Sequence, residues 1–191
     1  MREYAPLTHT RLPPQAQLVE PRAPGRVTLD DPAIAVMTDL RDVRAATVAA
    51  SDTMERAHAF MIRRGVRLLF VLDRGGTLAG AITATDVLGE KPMRFLQSRA
   101  ITHAEILVSD VMTPAAELEA VSLKEVTQMR VGHVVSTHRA VARQHIMVAD
   151  EGGRRVCGLF SASQVARQLG LELQTSEVAQ TFADIEAALA R

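Results

Sequence analysis

The stretch Leu68-Leu69-Phe70-Val71-Leu72-Asp73-Arg74-Gly75-Gly76, followed by Gly80-Ala81-Ile82-Thr83-Ala84-Thr85-Asp86, is written a second time further along the chain. It returns as His145-Ile146-Met147-Val148-Ala149-Asp150-Glu151-Gly152-Gly153, then Gly158-Leu159-Phe160-Ser161-Ala162-Ser163-Gln164. Each copy also opens on the same triplet, Val36-Met37-Thr38 and Val111-Met112-Thr113, so the similarity runs the length of a unit and defines a tandem repeat. Two units of this kind predict two half-modules facing each other across a pseudo-two-fold axis, with matching clefts between them.

Within each unit the apolar pattern changes period. Asp52-Thr53-Met54-Glu55 reads as a helix start with a carboxylate cap, and Met54, Ala57, Met61 and Ile62 fall on one helical face. Gly65 stands where a left-handed C-terminal residue is wanted. Residues 67–72 form an apolar run too short for a helix, Asp73 to Gly76 a turn, Leu78 to Ile82 the next strand, and Thr83 to Gly89 a second helix. The second unit repeats helix, strand, strand, helix. Its first helix carries Val131, Val134, Val135 and His138 at i, i+3, i+4 and i+7, with Gly132 as a local weakness. Between Pro114 and Arg130 this copy is about two residues longer, and its turn after Asp150 adds one, which is where loops absorb insertions.

The expected architecture is α/β: two tandem β-α-β-β-α units packed pseudo-symmetrically, with an extra C-terminal helix. The divisions are an extended, proline-bearing arm over 1–30, the first repeat over 31–90, a linker over 91–108 containing Lys91, Arg94, Arg99 and His103, the second repeat over 109–170, and an amphipathic helix over 171–191. In that last segment Val178, Phe182, Ile185 and Leu189 form a stripe that must be covered by this subunit or a neighbour.

Composition narrows the function. The 191 residues include 22 Lys plus Arg and 22 Asp plus Glu, so no global field favours nucleic acid or an anionic membrane, and any phosphate recognition must be local. The arm shows no apolar run of signal-peptide or membrane-spanning length. A single cysteine, Cys157, excludes an intramolecular disulfide and a cysteine-rich zinc site; it reads as a small buried hydrophobe and fits a reducing compartment, with the cytoplasm the default. No nucleophile elbow, phosphate loop or metalloprotease pattern is visible, so the chain is not expected to be an enzyme. Of the six histidines only His133 and His138 lie close in sequence, five apart, a poor spacing for a shared metal, and ordinary surface or helix roles are expected. The methionines read as core filler in a chain of few large aromatics.

The pattern Gly-apolar-apolar-Thr/Ser-x-x-Asp at the strand-to-helix junction, twice in tandem behind Val-Met-Thr, resembles the CBS domain, and a pair of copies resembles the Bateman module. The resemblance spans about Ala33 to Gly170. It implies a module that binds an adenosine nucleotide between its two copies, a regulatory ligand such as AMP, ADP, ATP or an S-adenosyl compound, and association into disc-like homodimers.

Residue chemistry bears on the same positions. Thr83 at a helix N-terminus combines a hydroxyl with free amides and the positive dipole end, an environment for phosphate. Asp86, one turn on, can accept two hydrogen bonds from vicinal ribose hydroxyls. Gly80 leaves room for close backbone approach, and Val48, Leu69 and Ile82 are the apolar residues expected to flank an adenine ring. The alternative is purely structural: Thr83-Ala84-Thr85-Asp86 is also a capping box, and Ser161-Ala162-Ser163-Gln164 a better one. Gln164 stands where the pattern has Asp, so charge-assisted bonds are lost and one competent adenosine site is expected beside one degenerate site. His145, aligned with Leu68, is a polar ring that can stack on a base or face solvent. Arg63, Arg64, Arg67 and Lys91 read as solvated charges, with reach to a polyphosphate as the functional alternative.

Two functions follow as expectations. One is a stand-alone sensor that takes an adenosine nucleotide and signals to an unidentified protein target through conformation or oligomeric state. The other is a constitutive dimerisation scaffold whose motifs are only helix caps.

Overall fold

The computed structural model describes residues 13–16, 26–97 and 102–171. Most of the arm over 1–30 and the C-terminal helix expected over 171–191 lie outside the described residues. The repeat produces two four-stranded sheets. The first has the order β2 (Thr47–Ala49), β3 (Leu68–Leu72), β4 (Leu78–Thr83), β5 (Thr113–Pro114); the second has β1 (Thr38–Asp39), β8 (Arg155–Ser161), β7 (His145–Asp150), β6 (Ala120–Ser122). In each, one outer strand runs parallel to its neighbour and the central hairpin is antiparallel: β2 pairs with β3 as β6 pairs with β7, and β3 with β4 as β7 with β8.

The sequence repeats are not the units of packing. Strand β1, from the opening of the first copy, pairs with β8 of the second, and β5, from the opening of the second, pairs with β4 of the first. This exchange explains the motif glycines. A Cβ on Gly80 would lie 2.3 Å from the Thr113 carbonyl oxygen, and one on Gly158 would lie 2.7 Å from the Met37 sulfur. Each glycine therefore admits the other copy's opening strand.

Helix α1 (Met54–Arg64) begins at Thr53, whose hydroxyl accepts from the Arg56 amide at 3.3 Å, and ends at Gly65 with φ 63°. Asp52 is not the cap: its carboxylate accepts from the Ala49 amide and pairs with Arg56. Met54, Ala57 and Met61 are buried, whereas Ile62, expected on the same face, is 68% exposed, because it falls a quarter-turn round from the stripe. Its counterpart α6 (Val131–Val141) buries Val131, Val134, Val135 and His138 as the spacing requires. The insertion ahead of α6 holds a one-turn helix, α5 (Leu123–Val126). The segment expected as a linker contains α3 (Lys91–Gln97) and leads to α4 (Val108–Val111). Helices α2 (Ala84–Leu88) and α7 (Ala162–Gln168) follow the two motif strands.

Strand alternation then sorts the apolar residues into three cores. Leu69, Val71 and Ile82 point to the helices of the first unit and pack with Met54, Ala57 and Met61; Val148 and Phe160 do the same in the second unit. Leu68, Phe70, Ala81 and Met147 point the other way and meet between the two sheets.

Candidate functional site

At the first strand-to-helix junction, Thr83 closes β4 and caps α2. Its hydroxyl accepts from the Asp86 amide at 3.2 Å, while Asp86 Oδ2 accepts from the Thr83 amide at 2.8 Å and from the Thr83 hydroxyl at 2.7 Å. The capping box is complete. The other carboxylate oxygen, Oδ1, lies 2.6 Å from Lys91 Nζ at the start of α3. That ammonium also donates to the Val111 carbonyl at 3.3 Å and to the Thr113 hydroxyl at 3.5 Å. Asp86 is only 8% exposed, so its charge is balanced internally by the cap amide and Lys91, as a buried carboxylate requires. Sequence reasoning treated Lys91 as a solvated linker charge. Its partner lies five residues earlier across a helix break, a contact no helical spacing signals.

Thr83 and Asp86 line a cleft of about 160 Å³ whose opposite wall is built by the second copy: Glu119, Arg143, Gln144 and His145. Arg143 pairs with Glu119 at 3.4 Å. The partly buried His145 faces Asp86 and Arg67, and burial, reinforced by the neighbouring His138 and Arg67, pushes its imidazole down to about 4. The ring is neutral at ordinary pH, and its buried Nδ1 makes no hydrogen bond among the described residues. His138, 1% exposed, is also pushed down by burial; its Nδ1 lies 2.8 Å from the Arg143 carbonyl oxygen, which offsets part of that effect.

The structure brings together only part of the expected site. Val48, Leu69 and Ile82 do not line the cleft: Leu69 and Ile82 are fully buried in the helix-side core and Val48 packs against it. They occupy the wrong face of a period-two strand, and the cleft is lined instead by their neighbours Leu68 and Ala81. Gly80 serves strand β5, as described above. At the second junction Ser161 makes no cap bond to its helix; its hydroxyl lies 3.1 Å from that of Ser163. Gln164 is turned away, its Oε1 accepting from Thr38 at 3.2 Å. The box expected there is thus not formed, because the amide finds a better donor on the exchanged strand β1. Among the described residues no three His, Cys, Asp or Glu side chains converge as metal ligands, and no helix is long and apolar enough to cross a membrane. The Cys157 thiol, only half-buried against the second unit's core, is pushed up by burial and by Asp150, and it donates to the Val148 carbonyl at 3.5 Å.

Two facing sheets that exchange their opening strands across a pseudo-dyad, with a motif cleft between the copies, make up the fold of a CBS-domain pair. Residues 33–92 match the CBS domain family, and the second copy carries the same strand pairings. Among solved structures the chain is similar to an uncharacterized conserved protein from Pyrococcus horikoshii, at 20% identity over 78% of this chain and 100% of that one, TM-score 0.56. It is also similar to CBSX2 in complex with AMP (20% identity, 72% of this chain, 94% of that one, TM-score 0.53), a CBS-pair protein from Arabidopsis thaliana. A third is the CBS domain of the bacterial CNNM/CorC family Mg2+ transporter in complex with ATP (17% identity, 75% and 89%, TM-score 0.51). No curated protein matches the chain.

Proposed function

We propose that this CBS-domain pair is a regulatory module that takes one adenosine nucleotide in the cleft beside Thr83 and Asp86. The observation that carries this reading is the composition of the cleft. Thr83 and Asp86 come from one copy and Glu119, Arg143 and His145 from the other, so a ligand there bridges the copies and favours one angle between them. Structural neighbours described in complex with AMP and ATP support the ligand class. Binding requires Lys91 to release Asp86 Oδ1, since both carboxylate oxygens are engaged. The ammonium is then free to meet the nucleotide's phosphate. The motif at Ser161 and Gln164 has no carboxylate to offer a ribose, and we assign it no adenosine ligand. We further propose a cytoplasmic homodimer formed through the first unit's helices, where Ile62, Leu88 and Met93 stand 68%, 69% and 60% exposed, and an output delivered to a protein target rather than through catalysis.

The scaffold reading has its own observation: the Thr83–Asp86 box is complete without a ligand. A thermal-shift titration with AMP, ADP, ATP and S-adenosylmethionine separates the two, run on the wild type and on Asp86→Asn, which keeps the side chain's shape. A saturable rise in Tm that Asp86→Asn abolishes supports the sensor. Flat curves for all four ligands, with the oligomer intact, make the protein a scaffold.

A further inference from the structure

A second and larger cleft opens between the two sheets at the end where the hairpin turns lie, with a volume of about 480 Å³ against about 160 Å³ for the motif cleft. Its lining comes in repeat-equivalent pairs, Phe70 with Met147, Leu72 with Ala149, and Ala45 with Leu118. A cavity lined by both members of each pair lies on the pseudo-dyad, whereas the motif cleft lies to one side of it. The side chains on its walls are mostly apolar, and the cleft is open to solvent along the hairpin end.

One end is different. At the mouth Thr77, in the first hairpin turn, and Arg154, in the second, both line the cleft. Among the described residues lining the cleft Arg154 carries the only charge, and its guanidinium makes no ion pair there. A mostly apolar slot with one cation at its rim matches a molecule with a hydrocarbon body and an anionic head.

We propose that this on-axis cleft is a binding site for one amphiphilic carboxylate per chain, its apolar body between the sheets and its head on Arg154 and Thr77. The site is separate from the nucleotide cleft and shares only Leu118 and Met147 with it. A ligand on the dyad touches both copies alike and so holds the angle that the nucleotide cleft also reads.

The test uses the full chain with anilinonaphthalene sulfonate as fluorescent probe and decanoate as competitor. The expected result is saturable binding of one probe per chain, displaced by decanoate and, roughly tenfold less well, by the uncharged decanol. Arg154→Glu, at an exposed position, erases the preference for decanoate over decanol. Thr47→Trp, on an exposed residue lining the cleft, blocks the probe, and Asp86→Asn leaves it bound. The proposal is overturned if the probe fails to saturate, if Arg154→Glu leaves the preference intact, or if Asp86→Asn abolishes probe binding. If Thr47→Trp does not fold, the decanoate-to-decanol ratio in Arg154→Glu decides alone.

Discussion

The junctions at Thr83–Asp86 and Ser161–Gln164 occupy equivalent places, yet they are wired differently. In the first, the carboxylate closes a capping box and holds Lys91; in the second, the amide ignores its own helix and accepts from Thr38 on the exchanged strand. The sequence equivalent of Lys91 in the second copy is Leu169, which packs against the apolar core. A buried carboxylate needs a cation, and the position equivalent to Lys91 supplies none in the second copy, where a neutral amide stands instead. The helices contrast in the same way. Met61 and Leu68 of the first copy become His138 and His145 in the second, placing two neutral imidazoles where the first has apolar side chains.

Acid should break this comparison most forcefully. Both imidazoles are held below their ordinary value of 6.5, so the unfolded chain binds protons more readily than the folded one. Stability is fully present above that value and falls as pH drops through it, for His145 until about 4, at up to about 1.4 kcal/mol per pH unit for each proton. Urea unfolding across this range should show the decline in the wild type and a flatter profile in His138→Met/His145→Leu, which gives the second copy the first copy's residues. An unchanged profile would place the acid sensitivity elsewhere.

Next in size is the contrast between carboxylate and amide. Asp86→Ala removes the box and the ion pair of Lys91, which keeps only its bonds to Val111 and Thr113, at an expected loss of about 2–3 kcal/mol, whereas Gln164→Ala should cost about 1 kcal/mol or less. Equal losses in chemical denaturation would mean that the two junctions are wired alike after all. A sharper version imposes the first copy's motif on the second. Gln164→Asp should destabilise by about 1–2 kcal/mol instead of restoring a box, because no ammonium is at hand. Gained stability would overturn the argument from Leu169.

The smallest effect lies at the helix ends. Gly65 closes α1 at φ 63°, and its equivalent Ala142 closes α6 at φ 51°, where a side chain is disfavoured. Ala142→Gly should stabilise and Gly65→Ala destabilise, each by about 1 kcal/mol or less. Opposite shifts in Tm of a few degrees are the readout.

Much of this was legible in the chain. The repeat, the hairpins, the cap at Gly65 and the buried stripe on α6 follow from periodicity and turn chemistry, which act over a few residues. The expectation that Val48, Leu69 and Ile82 flank an adenine turned on a matter of face: alternation says that Leu68 and Leu69 point oppositely, but not which side meets the other sheet, and Leu69 and Ile82 pack in the helix-side core. The partners of Asp86 and Gln164 were hidden for another reason. Lys91 sits beyond a helix break, and Thr38 arrives from 126 residues away.

The sequence by itself determined that there are two copies, which elements each contains, and that only the first carries an acid at its motif, because local propensity and the repeat are properties of neighbours along the chain. Tertiary structure alone decided that the copies exchange their opening strands, that both glycines exist to admit them, and that Asp86 is held by Lys91. It also decided where the clefts lie, since a space between two sheets is made by surfaces whose facing is fixed only when they pack.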